Sequence, residues 1–162
     1  MTVELSKSSR HSRITGDFAE SLVLYWLSKY GFECANVDHT GIDIIAKNPH
    51  TGEVMGISVK SRSRNVGTEG TNVSITADNF QKAAAACDAF GCLPYFAIVV
   101  DAADTICCFI TSMEHLLEIH PVGKSASSWA MSKPWLKRYR EDPLIMRFEF
   151  RSETARWWES RT

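Results

Sequence analysis

The stretch that decides the fold is residues 41–60, GIDIIAKNPHTGEVMGISVK. Its two apolar halves flank a turn-forming segment, residues 48–52, so the pattern predicts two strands joined as a hairpin. Because side chains alternate along a strand, Ser58 and Lys60 share one face of the second strand. Lysine is rarely buried without a partner, and the nearest acid is Asp43 on the adjacent strand. The hairpin therefore predicts that Asp43, Ser58 and Lys60 lie within reach of one another.

The elements around this hairpin predict a mixed α/β layer structure. The run 95–100 has no polar side, so helices are expected on both faces of the sheet. The expected elements are a helix from Thr15 or Gly16 to Tyr30, strands over 33–37, 41–46 and 54–60, a loop over 61–75, a helix from Thr76 or Asp78 to Gly91, strands over 95–100 and 106–110, a short helix over 112–119, a linker over 120–128, a helix over 129–140 and an edge strand over 144–150.

The apolar pattern of the first helix predicts its buried face. Phe18, Leu22, Tyr25 and Trp26 form its main apolar stripe. Glu20 lies on nearly the opposite face, but apolar neighbours there allow it to point into the protein.

Length and composition indicate one globular domain in a reducing compartment. The chain has 162 residues, 44% of them hydrophobic and 23% charged, which is ordinary for a soluble protein. It has no apolar run of about 20 residues and no signal core, so we expect a cytoplasmic protein without membrane spans. Five cysteines lack the spacing of a zinc site. We expect a loose N-terminus over 1–13, a core over 14–119 and an extension over 120–162 packed on the same domain.

Charge is local rather than global. The net charge is only −1, but basic residues cluster before the first helix, after the hairpin and near the C-terminus. Arg62 and Arg64 continue the alternation beyond Lys60 and are placed to contact phosphates, although solvated loops explain such clusters equally well.

In these motifs the chain resembles the PD-(D/E)XK nuclease superfamily, the restriction-endonuclease-like fold. The resemblance spans roughly residues 14–111 and rests on Gly16-Asp-Phe-Ala-Glu20, Asp43 and Ser58-Val-Lys60, in that order. It is closest in style to Holliday-junction-resolvase-like and Mrr-like members. The resemblance implies an αβββαβ core whose central mixed sheet is flanked by helices.

The resemblance also implies a role for each site residue. Asp43 would be the principal ligand of Mg²⁺ or Mn²⁺, joined by the Val59 carbonyl and by Glu20. Magnesium takes hard oxygen ligands and supplies the activated water that cutting a phosphodiester requires. Lys60 would stabilise the developing charge or orient that water. Gln81 on the second helix is a further candidate contact, since some relatives carry a glutamine there.

Ser58 departs from the superfamily pattern, which usually has Glu, Asp or Gln two residues before the lysine. Two interpretations stay open. The missing acid has moved, with Glu20 the natural substitute and Glu69 or Asp78 as alternatives, or the site is degenerate and Asp43 and Lys60 are a retained ion pair.

The resulting hypothesis is a metal-dependent DNA endonuclease that acts as a homodimer, the dimer being implied by resemblance alone. The alternative is a nuclease-fold module that binds DNA or a protein partner without cleaving. A third reading is an interaction protein that uses Trp157-Trp158 and residues 129–140. The sequence leaves open which DNA structure is recognised and whether RNA is the substrate.

Overall fold

The computed structural model describes residues 6–151. The Trp157-Trp158 pair lies outside the described residues. The elements, in chain order, are α1 His11–Lys29, β1 Glu33–Asn36, β2 Ile44–Lys47, β3 Val54–Arg64, β4 Val73–Thr76, α2 Ala77–Phe90, β5 Leu93–Ala102, β6 Thr105–Ser112, α3 Met113–Ile119, β7 Ala126–Trp129, α4 Lys133–Glu141 and β8 Met146–Arg151.

The central sheet is mixed, as the sequence predicts. Within the described residues it has six strands in the order β1-β2-β3-β5-β6-β8. β3 and β5 are parallel, and every other neighbouring pair is antiparallel. The parallel pair needs a crossover, which α2 provides. The predicted α/β fold with a central mixed sheet flanked by helices is confirmed.

Helices cover both faces of this sheet. On one face, α1 packs Ala19, Val23 and Leu27 against β2, β3 and β5. On the other face lie α2, α3 and α4, together with a small sheet in which β4 pairs with β7. The site described below lies at the edge where β2 begins, between these two layers.

The buried face of α1 is not the one that hydrophobicity predicts. Ala19 and Val23 are fully buried, whereas Phe18 is 45% and Tyr25 59% exposed. Small side chains at four-residue spacing let α1 approach the sheet closely, and the bulkier stripe is turned toward the rim. The stripe prediction is therefore wrong for Phe18 and Tyr25, while Trp26 does pack, stacking on Phe148 at 4.3 Å.

Several boundaries also differ from the sequence prediction. α1 begins at His11, four residues earlier than Thr15. Residues 61–64 are strand rather than loop, because the parallel ladder with β5 continues to the pair Arg64–Ala102. The predicted helix over 129–140 is shorter, spanning Lys133–Glu141.

The remaining differences come from pairing between distant segments. Residues 73–75, expected as loop, form β4 together with Thr76 and pair with β7 across 126–129, which includes part of the expected linker. Trp129 ends β7 and is fully buried. Each strand is short and polar on one side, so only its partner identifies it.

Two glycines bring the hairpin close to α2. A Cβ on Gly41 would lie 2.1 Å from the Lys82 carbonyl oxygen, and a Cβ on Gly56 would lie 2.5 Å from Cys87 Sγ. Only glycine permits such an approach without displacing α2. These contacts fix the residues that flank Asp43 against the middle and the C-terminal half of α2. No helix among the described residues is long and apolar enough to cross a membrane.

Candidate active site

Asp43 lies where β2 and β3 separate. It immediately precedes β2, whose first residue, Ile44, pairs with Ile57. The Asp43 N–H donates to the Ile57 carbonyl at 2.8 Å, and the Val59 N–H donates to Asp43 Oδ2 at 2.7 Å. The carboxylate thus takes the place of a strand carbonyl opposite Val59. This leaves Asp43 Oδ1 for other partners.

Burial makes the charge on Asp43 costly. It raises the pKa of Asp43, and the Val59 hydrogen bond and the Lys60 charge only partly oppose it. The neighbouring acid Glu20 is affected in the same direction. Burial first, and then the Asp43 charge, raise the pKa of Glu20. Asp43 and Glu20 therefore repel each other electrostatically across this corner of the fold. A cation placed there would relieve both.

Lys60 is held by an amide rather than by Asp43. Its Nζ donates to Asn79 Oδ1 at 2.6 Å, and Asn79 Nδ2 donates to Thr76 Oγ1 at 2.6 Å. Burial lowers the pKa of Lys60, although the Asp43 charge raises it. No ion pair joins Lys60 to Asp43 within residues 6–151. The charges of Lys60 and Asp43 attract each other, but the two side chains form no direct ion pair.

Asn79 is a site residue that was not predicted from the sequence. The predicted candidates Asp78 and Gln81 lie on the same turn of α2. One turn of a helix presents a single position toward a given neighbour, and here it is Asn79. Gln81 is exposed, and Asp78 pairs with Lys82 at 2.6 Å on the surface. The crossover predicts that α2 starts beside β3, but the sequence does not reveal its rotation.

The side chains of Ser58 and Val59 point to opposite faces of β3. Ser58 is 4% exposed and lies on the same face as Lys60, toward α2. Val59 packs its side chain on the α1 side, but its backbone points along the sheet toward Asp43. The N–H and C=O of one strand residue point to the same side, so the Val59 carbonyl also faces the gap before β2.

Arg62 and Arg64 follow Lys60 along the α2 face of β3. Arg62 donates to the Ser74 carbonyl at 3.2 Å, and Arg64 to the Asn72 carbonyl at 3.2 Å. Both therefore lie along the strand β4. Glu69, the other candidate for a displaced acid, accepts from the Gly67 N–H within its own exposed turn, so its carboxylate is engaged there.

The donors gathered at this corner suit a hard divalent cation. Across the described part of the chain, no group of three or more His, Cys, Asp or Glu side chains could hold a metal. A donor set here therefore needs a main-chain oxygen beside the two carboxylates. Asp43 Oδ1, Glu20 and the Val59 carbonyl are all hard oxygen donors, which Mg²⁺ prefers. Burial is the first cause of the raised pKa of each acid, so a cation beside them would favour their charged forms.

Comparison with known proteins supports the fold. No protein-family model and no curated protein sequence matches the chain. The fold, with the central sheet and flanking helices described above, is similar to that of the solved structure of Hjc, a Holliday junction resolvase from the archaeal hyperthermophile Archaeoglobus fulgidus. The TM-score is 0.55 at 19% sequence identity, covering 76% of this chain and 93% of that one.

Proposed function

We propose that this protein is a metal-dependent DNA endonuclease that hydrolyses phosphodiester bonds with Mg²⁺ or Mn²⁺. The observation that carries the proposal is the unclosed arrangement of Asp43, Glu20 and Lys60 at the β2–β3 fork of a nuclease fold. Side chains that are buried, charged and incompletely paired mark functional sites more often than structural ones.

Each residue has a role in this proposal. Asp43, Glu20 and the Val59 carbonyl hold the cation, which supplies charge neutralisation and a more acidic water. Lys60, oriented by Asn79, stabilises the charge that develops on the phosphate. Ser58 adds a hydroxyl on the face of Lys60, so it serves as a hydrogen-bonding group rather than as a charged ligand. Glu20 takes the part of the missing acid.

DNA is the proposed partner. Arg62 and Arg64 lie beyond Lys60 on the same face, so they contact phosphates next to the one cut. Each such contact releases counterions and makes binding weaker with salt, by about one unit of log–log slope. The chain acts as a homodimer in this proposal, as the resolvase-like fold suggests, and works in the cytoplasm. Gln81, exposed on α2, is proposed to reach DNA rather than the metal.

One observation favours a second function, a nuclease-fold module that binds DNA without cutting it. Ser58 is buried where an acid is usual, which leaves the donor set with two carboxylates. The two proposals agree on DNA binding and differ only in cleavage. A metal titration therefore separates them.

The test measures nicking of supercoiled plasmid and of branched DNA in Mg²⁺ or Mn²⁺. The parent protein is compared with Asp43→Ala and Lys60→Ala. Matched controls are Asp88→Ala and Lys47→Ala, which remove the same side chains from exposed positions. We expect the parent and both controls to cut, and both site variants to fail while still binding DNA.

Two other results decide against parts of the proposal. If the parent binds DNA with a salt-dependent affinity but never cuts, the binding module is the correct function. If Asp43→Ala cuts as fast as the parent, the activity arises elsewhere or from a contaminating nuclease.

A further inference from the structure

A second site lies on the α1 face, at the far end of β3. A cavity of about 120 Å³ opens there, and α1, β3, β5 and β6 all contribute to it. Its walls combine apolar and polar side chains. The apolar ones are Ile14, Phe18 and Ile106, and the polar ones used below are His11, Ser63 and Asp101. None of these belongs to the metal-binding corner.

The polar side chains of the cavity are linked to one another by hydrogen bonds. Ser63 Oγ donates to Asp101 Oδ2 at 3.3 Å and is 2.9 Å from His11 Nε2. The Ala103 N–H donates to Asp101 Oδ1 at 3.1 Å, in the tight turn between β5 and β6. An ionised carboxylate has about four acceptor positions, so Asp101 can accept further hydrogen bonds. The group therefore offers both an acceptor and donors to a planar ligand.

Basic side chains lie near the cavity on both faces of β3. Lys7 Nζ donates to the Ser63 carbonyl at 2.7 Å. Arg62 and Arg64 flank Ser63 in sequence and project to the other face of β3. The fold thus joins the basic cluster before the first helix to the one after the hairpin, although about 50 residues separate them. A polyanion that reaches the cavity meets cations on both sides of β3.

The cavity is also close to the proposed metal site. Phe18 lies two residues before Glu20 on α1, and Ser63 lies three residues after Lys60 on β3. Three strand residues span about 10 Å. A nucleotide one or two positions from a phosphate at Asp43 could place its base in this cavity.

We infer that the cavity binds an unpaired pyrimidine base of a DNA strand, with cytosine preferred over thymine, which rests on DNA being the partner in the proposed function. An apolar protein cavity of about 150 Å³ holds one benzene ring, so an open cavity of about 120 Å³ can take most of a six-membered base and has less room for a two-ring purine. Phe18 and His11 provide ring surfaces for stacking. Carboxylates accept from the cytosine N4 amine, whereas thymine presents an oxygen there, which Asp101 repels.

The test is binding of short fluorescent single strands in EDTA, so that cleavage plays no part. One position carries cytosine, thymine or an abasic sugar, and that position is scanned along the strand. Anisotropy gives the affinities, and ¹⁹F NMR of 5-fluorocytosine reports enclosure of the base. We expect cytosine to bind about tenfold more tightly than thymine at one position, and the abasic strand to be weakest.

Three variants separate the cavity from general DNA binding. Asp101→Asn should remove the preference for cytosine over thymine, while Asp104→Asn, an exposed acid of the same turn, should keep it. If Asp101→Asn fails to fold, Phe18→Ala gives an independent test, because Phe18 is 45% exposed and its removal should bring pyrimidine and abasic strands to equal affinity.

The outcomes keep this inference distinct from the proposed function. Equal affinity for cytosine, thymine and abasic strands at every position overturns the base site, even if the protein cleaves DNA. A base preference without cleavage in Mg²⁺ or Mn²⁺ supports the base site and overturns the nuclease. No binding to any strand overturns the base site and DNA recognition together.

Discussion

Two acid–base pairs in this molecule differ in whether the partners touch and in the direction in which their pKa values are shifted. On the far side of the sheet, Asp142 Oδ2 and His115 Nε2 are 2.7 Å apart in a closed contact. Burial there disfavours charge on both groups, but their mutual hydrogen bond prevails, lowering the pKa of Asp142 and raising that of His115. At the β2–β3 fork, burial prevails instead, raising the pKa of Asp43 and lowering that of Lys60.

The first pair is closed, as in a pair that stabilises a fold, whereas the second is open, as the proposed metal site requires. In the closed pair, the charged atoms of Asp142 and His115 hydrogen-bond each other. Asp43 and Lys60 instead hold different partners, the Val59 N–H and the Asn79 amide, and bear a desolvation cost that their own attraction does not repay. A cation bound beside Asp43 would therefore stabilise its charged form.

The largest expected effect comes from Asp43→Asn. An asparagine oxygen can still accept from Val59, so the fork is kept while the charge is lost. We expect cleavage to fall at least about 100-fold and Tm to rise by about 2–4 °C. The gain should be present at neutral pH, shrink as pH falls through the raised folded pKa of Asp43, and vanish below the unfolded pKa of about 3.9, where the carboxyl is neutral in both states. Plasmid nicking and thermal melts check this.

The comparison pair gives the matched control for that experiment. Asp142→Asn should lower Tm at neutral pH and leave cleavage unchanged, because its charge stabilises only the fold. If Asp43→Asn also lowers Tm at neutral pH, then Asp43 is a structural acid and the contrast between the two pairs fails.

A smaller effect is expected from moving the acid. Glu20→Gln should reduce cleavage by more than about tenfold, since it removes one of two carboxylates from the donor set. The double variant Glu20→Gln with Ser58→Asp restores a carboxylate at the usual position and should recover part of the rate. Glu114→Gln, an exposed acid on α3, is the control. Normal cleavage by Glu20→Gln alone would exclude migration of the acid to α1.

Much of this site could be predicted from the sequence because it follows from strand periodicity. Alternation put Ser58 and Lys60 on one face, and the turn residues set the hairpin that brings Asp43 beside β3. That Asp43 and Lys60 bind different partners instead of each other did not follow, because it depends on where β2 begins and on which groups lie beside each side chain. Likewise, the extension of β3 to Arg64 is set by β5, which lies about 40 residues away.

Helix rotation was the harder problem for sequence reasoning. Hydrophobicity selected the Phe18 stripe of α1, yet the buried face is built on Ala19 and Val23, since close approach favours small side chains. The same uncertainty at α2 concealed Asn79. A strand can bury only one of two faces, and alternation shows which. A helix with apolar residues all round can bury any of several faces, so its sequence does not show which one it buries.

Removing Asn79 should have a modest effect that reveals positioning rather than chemistry. In Asn79→Ala, Lys60 loses the amide oxygen that favours its charged form. The pKa of Lys60 should therefore fall further, and the alkaline limb of the cleavage pH profile should move to lower pH, with a rate loss of about tenfold or less. Asp88→Ala, at an exposed position farther along α2, should keep the parent profile. An unchanged profile in Asn79→Ala would show that the amide does not set the state of Lys60.

The smallest effect, and one confined to stability, is expected at His115. Its pKa is raised in the folded protein, so its stabilisation is full below the unfolded pKa of about 6.5 and is lost as pH rises through the folded pKa. The pKa of Asp142 is lowered, so its contribution is lost as pH falls through that folded value. His115→Ala should therefore cost about 1–2 kcal/mol at about pH 5.5 and clearly less at about pH 8.5, measured by urea unfolding. His50→Ala, at an exposed turn, should cost little at either pH. If the loss in free energy of unfolding in His115→Ala does not change with pH, then His115 stabilises the protein through its packing and not through its pairing with Asp142.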